Sequence, residues 1–164
     1  MAVLEIVKWP DARLTTVCDM VVGGDDRGAL IGDMFDTMYA ANGRGLAAPQ
    51  VGVLQRLFVM DCTWKAGEKT PVACINPQIV ERSDQVGSVD EGCLSIPGIL
   101  TAVERPDWVV LEWTDDKGRT QRQRLEGPEA RIAQHELDHL DGIVTFLRLD
   151  SVARVAAEAR YSAL

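Results

Sequence analysis

The stretch Gln134-His135-Glu136-Leu137-Asp138-His139-Leu140-Asp141-Gly142 decides how the rest of the chain is read. The protein has only 2 histidines, and both stand here, one helical turn apart with a glutamate between them. Side chains at i and i+4 of a helix lie on one side, with Cβ atoms about 6 Å apart, so the two imidazoles can share one metal ion. This is the zincin pattern His-Glu-x-x-His. Gly127-Pro128-Glu129 supplies a helix start, with proline in the first turn and an acid near the positive end of the dipole, and Gly142 supplies a stop. The spacing therefore predicts a helix from Pro128 to Asp141. At helical period Ile132, His135, Glu136, His139, Leu140 and Ile143 form one stripe, expected to face inward. Arg131, Gln134, Asp138 and Asp141 form the other, expected to face solvent. Burying two imidazoles and a carboxylate costs several kcal/mol unless something satisfies them, and a divalent cation does so.

Outward from this helix, the totals describe an ordinary globular chain. A length of 164 residues predicts one domain, residues 1–164, burying about two-thirds of its unfolded surface. A net charge of −8 argues against a basic face for nucleic acid, and Arg119, Arg122 and Arg124 read as a solvated strand. The start Met1-Ala2-Val3-Leu4-Glu5 carries neither a basic leader nor an apolar core, and no run approaches a membrane span, so a cytoplasmic protein without membrane contact is expected. Cys18, Cys62, Cys74 and Cys93 are then free thiols or metal ligands, not disulfides.

Along the chain, Val3 to Val7 reads as a short strand before the turn Trp9-Pro10-Asp11, and Gly23-Gly24-Asp25-Asp26 as a break. Leu30, Ile31, Met34, Phe35, Met38 and Ala41 recur at helical spacing, and Asn42-Gly43 ends that helix. Strands are expected at Arg56 to Asp61, Val72 to Asn76, Gln78 to Arg82 and Trp108 to Trp113. The last turns at Asp115-Asp116-Lys117-Gly118 into Arg119 to Leu125. Ser151 is read as the cap of a C-terminal Ala-rich helix. Strands in a block before the metal helix indicate an α+β fold.

A catalytic site of this type needs a third protein ligand and an open position. The metzincin pattern requires histidine at the position held by Thr145, which excludes that class. A thermolysin-like arrangement takes a glutamate about twenty residues on, a place Glu158 fills. Cys93, in Glu91-Gly92-Cys93-Leu94-Ser95-Ile96-Pro97-Gly98, is the stronger candidate, because Gly92 and the Pro-Gly turn constrain the backbone that aims its sulfur. Gly43-Arg44-Gly45-Leu46-Ala47-Ala48-Pro49-Gln50 allows close backbone approach and lacks the Lys-Ser/Thr of a phosphate loop.

In order and separation, the runs Gly43 to Gln50, Glu91 to Ser95 and Gln134 to His139 resemble the three signature motifs of peptide deformylases. The resemblance implies small antiparallel or mixed sheets packed around a central HExxH helix, with an N-terminal and a C-terminal helix. It also implies removal of the formyl group from the N-formylmethionine of nascent polypeptides. It assigns one divalent metal, usually Fe2+ with Zn2+, Ni2+ or Co2+ tolerated, to Cys93, His135 and His139. Glu136 becomes the acid/base, Gln50 and the Leu94 N–H the oxyanion donors, and Arg105 the partner of Glu91. Gly43, Arg44, Gly45, Ile99, Leu100 and Ile132 become the substrate contacts. Formylated nascent peptides are the implied partner, with transient ribosome contact. Arg44 stands where relatives carry an apolar residue, and Leu100 and Leu147 where many carry an arginine and an acid, so the substrate range is expected to differ. A non-catalytic protein that keeps the fold would have no use for Glu136 and Gln50.

Overall fold

The run Leu57-Phe58-Val59-Met60 has no polar face, and its position explains why. The structure, a computed structural model, describes residues 2–23 and 27–164. In it this run is strand β2 (Leu57–Met60), buried along its whole length within a five-stranded antiparallel sheet. The sheet also contains β1 (Gly45–Ala47), β3 (Val72–Arg82), β6 (Trp108–Thr114) and β7 (Thr120–Glu126), in the order β1-β2-β3-β6-β7. Between β3 and β6, strands β4 (Val86–Cys93) and β5 (Ile96–Pro106) form a separate two-stranded hairpin.

Alternation along β2 sends its side chains to two different cores. Leu57 and Val59 meet Ile31, Met34 and Met38 of helix α1 (Gly28–Ala40). Phe58 and Met60 meet Ala130, Ala133, Leu137 and Leu140 of helix α2 (Gly127–Leu140) on the opposite face. A third cluster joins Ile96 and Ile99 of β5 to Val144, Phe146 and Ala157, the last on helix α3 (Ser151–Ser162). The fold is therefore α+β, with the HExxH helix between the large sheet and the hairpin.

Several expectations need correction. Residues Val3 to Val7 join no ladder. Their amides are used singly, Leu4 N donating to Thr37 Oγ1 at 2.8 Å and Val7 N to the Gln50 carbonyl at 2.8 Å. The two strands expected on either side of Pro77 are one bulged strand: Asn76 takes φ 50°, and the register with β6 shifts between Ile75 and Gln78, so the missing proline N–H interrupts no ladder bond. The cap of α3 is Asp150, which accepts from Ala153 N at 2.8 Å, and not Ser151. The β4–β5 hairpin was not expected as strands at all. Of the break at Gly23 to Asp26, residues 24–26 lie outside the described residues.

The largest correction concerns α2. Gln134 and Asp138, assigned to the solvent stripe, are buried, whereas Asp141 is exposed. A stripe analysis assumes that one helix side meets water, but the hairpin covers that side here. Gln134 Nε2 donates to the Pro106 carbonyl at 3.1 Å, and Asp138 is held by Arg105 and Arg148. Arg119, Arg122 and Arg124 are exposed, as expected.

The end of α2 is fixed by Gly142, at φ 72°, where an added Cβ would lie 2.8 Å from the Thr15 backbone carbon. The freed Leu140 carbonyl is taken up by Cys18 N at 2.9 Å and Arg56 Nη1 at 3.0 Å. Gly142→Ala meets both a left-handed backbone and a backbone clash, and is expected to cost at least about 2 kcal/mol. Thermal unfolding followed by circular dichroism should show Tm lowered by about 5 °C or more; an unchanged Tm contradicts this account of the helix end.

Candidate active site

The site is assembled from three stretches with different backbone constraints. Helix α2 supplies the imidazoles, whose Nε2 atoms lie 3.2 Å apart. The end of β4 supplies Cys93, where a register shift between Gly92 and Cys93 turns the chain and sets Sγ 3.4 Å from His139 Nε2. The sulfur and one nitrogen from each ring all lie within 4.8 Å of one another. Glu158, the rival third ligand, is not brought to this point; it pairs with Arg154 along α3 at 3.2 Å.

This donor set fits a divalent cation. Three lone pairs brought together from buried and partly buried side chains repel unless a proton or a metal lies between them. Burial, then the neighbouring His135 and Arg105, hold His139 well below its usual range, in the neutral form that ligation needs. Burial also opposes a charged His135, but Glu136, Cys93 and Glu91 around it favour positive charge strongly enough to prevail. A cation at the convergence point meets that demand.

Behind His135, its Nδ1 lies 2.9 Å from Glu91 Oε1, the arrangement that orients a metal-binding ring and fixes its tautomer. Glu91 is gripped by Arg105, with Nε to Oε2 at 2.6 Å and Nη2 to Oε1 at 2.9 Å. Burial would raise the Glu91 pKa, but the hydrogen bonds from His135 and Arg105 outweigh it and bring the carboxyl down to about 2. Arg105, only 3% exposed, also donates to Asp138 Oδ2 at 2.9 Å, and Asp138 in turn accepts two bonds from Arg148, at 2.9 and 2.6 Å. The pairing of Glu91 with Arg105 was expected; the extension through Asp138 to Arg148 was not. A second unexpected partner is Arg131, whose Nη1 lies 3.3 Å from Glu91 Oε2 and 3.0 Å from the Val103 carbonyl, tying α2 to the hairpin.

Gln50 follows the buried Pro49 in a 3-10 turn, Ala48–Val51. Its Oε1 accepts from Ala47 N at 2.9 Å, which turns the amide nitrogen toward Cys93 Sγ at 3.7 Å and Ser95 Oγ at 3.0 Å. Ser95, fully buried, was not singled out from the sequence, although its place two residues after Cys93 puts it beside the same amide.

Glu136 is 4% exposed, and its Oε1 has no hydrogen-bond partner among the described residues. Burial is the main cause that lifts its carboxyl to about 7. An added Cβ on Gly45 would lie 2.5 Å from Glu136 Oε2, so the first motif presents bare backbone for the carboxylate to rest on. Gly43 does the same for Leu94, at 2.8 Å. Glu136, His135 and Cys93 open onto a cleft of ≈ 1110 Å³, and all six residues expected to contact substrate line it: Gly43, Arg44, Gly45, Ile99, Leu100 and Ile132.

A Cys-His-His cluster beside an unpaired buried glutamate, on an HExxH helix in an α+β fold, defines the class as a metal-dependent hydrolase. Comparison with known proteins narrows this. The polypeptide deformylase family model matches residues 3–155, and the chain belongs to that family. It is 41% identical to the peptide deformylase of Thermodesulfovibrio yellowstonii over 156 residues, covering 94% of this chain and 93% of that protein. It is 43% identical to the enzyme of Afipia carboxidovorans, covering 94% and 91%. The crystal structure of the Legionella pneumophila peptide deformylase superposes with a TM-score of 0.91 at 36% identity, over 99% of this chain and 95% of that one. That of the Synechococcus elongatus enzyme in complex with actinonin gives 0.91 at 36% identity, over 97% and 88%.

Gly45→Ala is expected to displace the Glu136 carboxylate without touching a ligand atom. Turnover should fall by roughly tenfold or more with metal content retained, since a misplacement near 1 Å can cost that and more. Turnover like that of the wild type in the alanine variant contradicts the packing argument.

Proposed function

We propose that this chain hydrolyses the formyl group from the amino terminus of N-formylated nascent polypeptides, using one divalent ion held by Cys93, His135 and His139. The observation that carries this reading is the approach of the Cys93 sulfur and both Nε2 atoms to one point, with Glu136 alongside. Family membership supports the same reaction.

When bound, a divalent ion supplies positive charge that polarises a carbonyl and lowers the pKa of water. The chain's own residues do the rest. Glu136 takes the proton of the water whose oxygen forms the bond to the formyl carbon. It returns that proton to the nitrogen as the carbon–nitrogen bond breaks, leaving formate and a free amine. Its high pKa and bare Oε1 suit a group that must both accept and give a proton. Gln50 Nε2, aimed by the bond its Oε1 accepts from Ala47 N and by its own donation to Ser95 Oγ, and the Leu94 N–H, next in the chain after Cys93, donate to the carbonyl oxygen as it gains charge. Gly43, Gly45, Ile99 and Ile132 accommodate the substrate backbone and first side chain, with Arg44 and Leu100 at the edge.

Ferrous iron is the proposed ion, with zinc, nickel or cobalt able to replace it, since thiolate and imidazole suit all of them. We place the protein in the cytoplasm as a single domain of residues 1–164 acting on nascent chains, with transient ribosome contact and no nucleic-acid or membrane binding of its own. No described helix is long and apolar enough to cross a membrane.

Formate release from formyl-Met-Ala-Ser under anaerobic conditions with ferrous iron tests the activity. Glu136→Gln should retain metal and lose turnover by roughly a hundredfold or more; turnover like that of the wild type refutes its role. Measured metal content should fall in Cys93→Ser and stay unchanged in Glu158→Gln, and the reverse result overturns the ligand set.

A further inference from the structure

The chain carries a net charge of −8, yet four cations line its cleft: Lys8, Arg44, Lys65 and Arg131. Arg131 is occupied by Glu91 and by the carbonyls of Val103 and Gly87. Lys8, Arg44 and Lys65 are exposed and form no ion pair among the described residues. Of the acids lining the cleft, Glu91 is compensated by Arg105 and Glu136 is the proposed proton carrier. Asp90 is left as the uncompensated one among the described residues. The cleft is therefore electropositive within an acidic protein.

Two of these cations share one wall, and backbone contacts put them there. Trp64 Nε1 donates to the Gly43 carbonyl at 2.9 Å and Asp61 N to the Arg44 carbonyl at 2.8 Å, which brings the turn bearing Lys65 beside Arg44. Asp61, whose amide holds the Arg44 carbonyl, cannot neutralise them. It is fully buried, and its carboxylate accepts from Tyr39 OH at 2.6 Å and from the amides of Thr63, Trp64 and Thr70. These bonds also anchor the turn, so Lys65 is presented from a fixed base.

We infer that Arg44 and Lys65 form a cationic wall that favours formylated peptides with an aspartate or glutamate downstream of the formylated residue. This deepens the deformylase reading and rests on it. Ile99, Ile132 and Leu94, partly or wholly buried beside the proposed ligands, suit an apolar first side chain. Arg44 and Lys65 line the same cleft and are exposed, which suits them to later residues of the peptide. Exposed charge pairs are individually weak, but two cations against one carboxylate give a rate preference of roughly three- to tenfold.

The test is kcat/KM for formate release from formyl-Met-Asp-Ser, formyl-Met-Ala-Ser and formyl-Met-Lys-Ser, using metal-loaded protein. The wild type should prefer them in that order, with the aspartate-to-lysine ratio roughly tenfold and expressed mainly in KM. The ratio should approach one in the Arg44→Gln/Lys65→Gln double variant and in about 0.5 M salt, where screening acts within a few ångströms. Arg44→Glu/Lys65→Glu, which makes the wall anionic, should reverse the preference. Lys117→Gln, which removes a cation from the exposed β6–β7 turn away from the cleft, should leave it unchanged. A ratio near one in the wild type, one that survives the double substitution, or one that falls equally in Lys117→Gln overturns the inference. No formate from any of the three peptides refutes the deformylase reading itself, whereas equal release from all three refutes this inference alone.

Discussion

Two imidazole nitrogens and a cysteine sulfur brought within 4.8 Å of one another repel, and the fold holds them there nonetheless. Helix α2 alone supplies two of the three donors, at a spacing that helical geometry guarantees. The third must come from elsewhere, and the β4–β5 hairpin exists in the place where Cys93 meets His139 at 3.4 Å. The hairpin's packing, the charges beneath it and the bare glycines of the first motif all follow from holding that approach.

Beneath the donors runs an alternation of charge: His135, Glu91, Arg105, Asp138, Arg148. Each buried acid has a guanidinium partner and each guanidinium has an acid, so the cost of burying charge is offset by well-formed pairs. The alternation also joins three separate segments, the hairpin, α2 and the turn before α3. His135 is thereby oriented by a scaffold that extends to Arg148 at the surface, and not by Glu91 alone. Glu136, one residue along the helix, has no guanidinium hydrogen-bonded to it, and burial outweighs the pull of His135 and Arg105, so its carboxyl rises to about 7 while that of Glu91 falls to about 2. Opposite environments for neighbouring carboxylates separate the structural acid from the one able to move protons.

The meeting of Cys93, His135 and His139 was legible because its signals are local: a helical i, i+4 pair, a glycine-flanked cysteine and short motifs. The α1 stripe was legible for the same reason, and Ile31, Met34 and Met38 are indeed core. What sequence reasoning missed depends on partners remote in the chain. Residues 86–93 of β4 mix three polar residues and two glycines with two valines and a cysteine, so they carry no clear strand signature; they are a strand because residues 96–106 lie opposite. Arg105 occupies an inward position of β5 that an apolar residue would normally take, and only Glu91 and Asp138 make that tolerable. Gln134 and Asp138 were placed in water because periodicity records the sides of a helix, not what later covers them. Val3 to Val7 has strand composition, but its amides find single acceptors in place of a partner strand.

Among the described residues no third strand pairs with the hairpin. Two strands by themselves are marginal, so its order is borrowed from the ion pairs to α2 and from Ile96 and Ile99 against Phe146 and Ala157. Leu100, on its outer face, contributes to the cleft but not to the cores on either side of β2. Leu100 can thus change without loosening any of the three cores, whereas its neighbour Ile99 answers to cleft and fold at once.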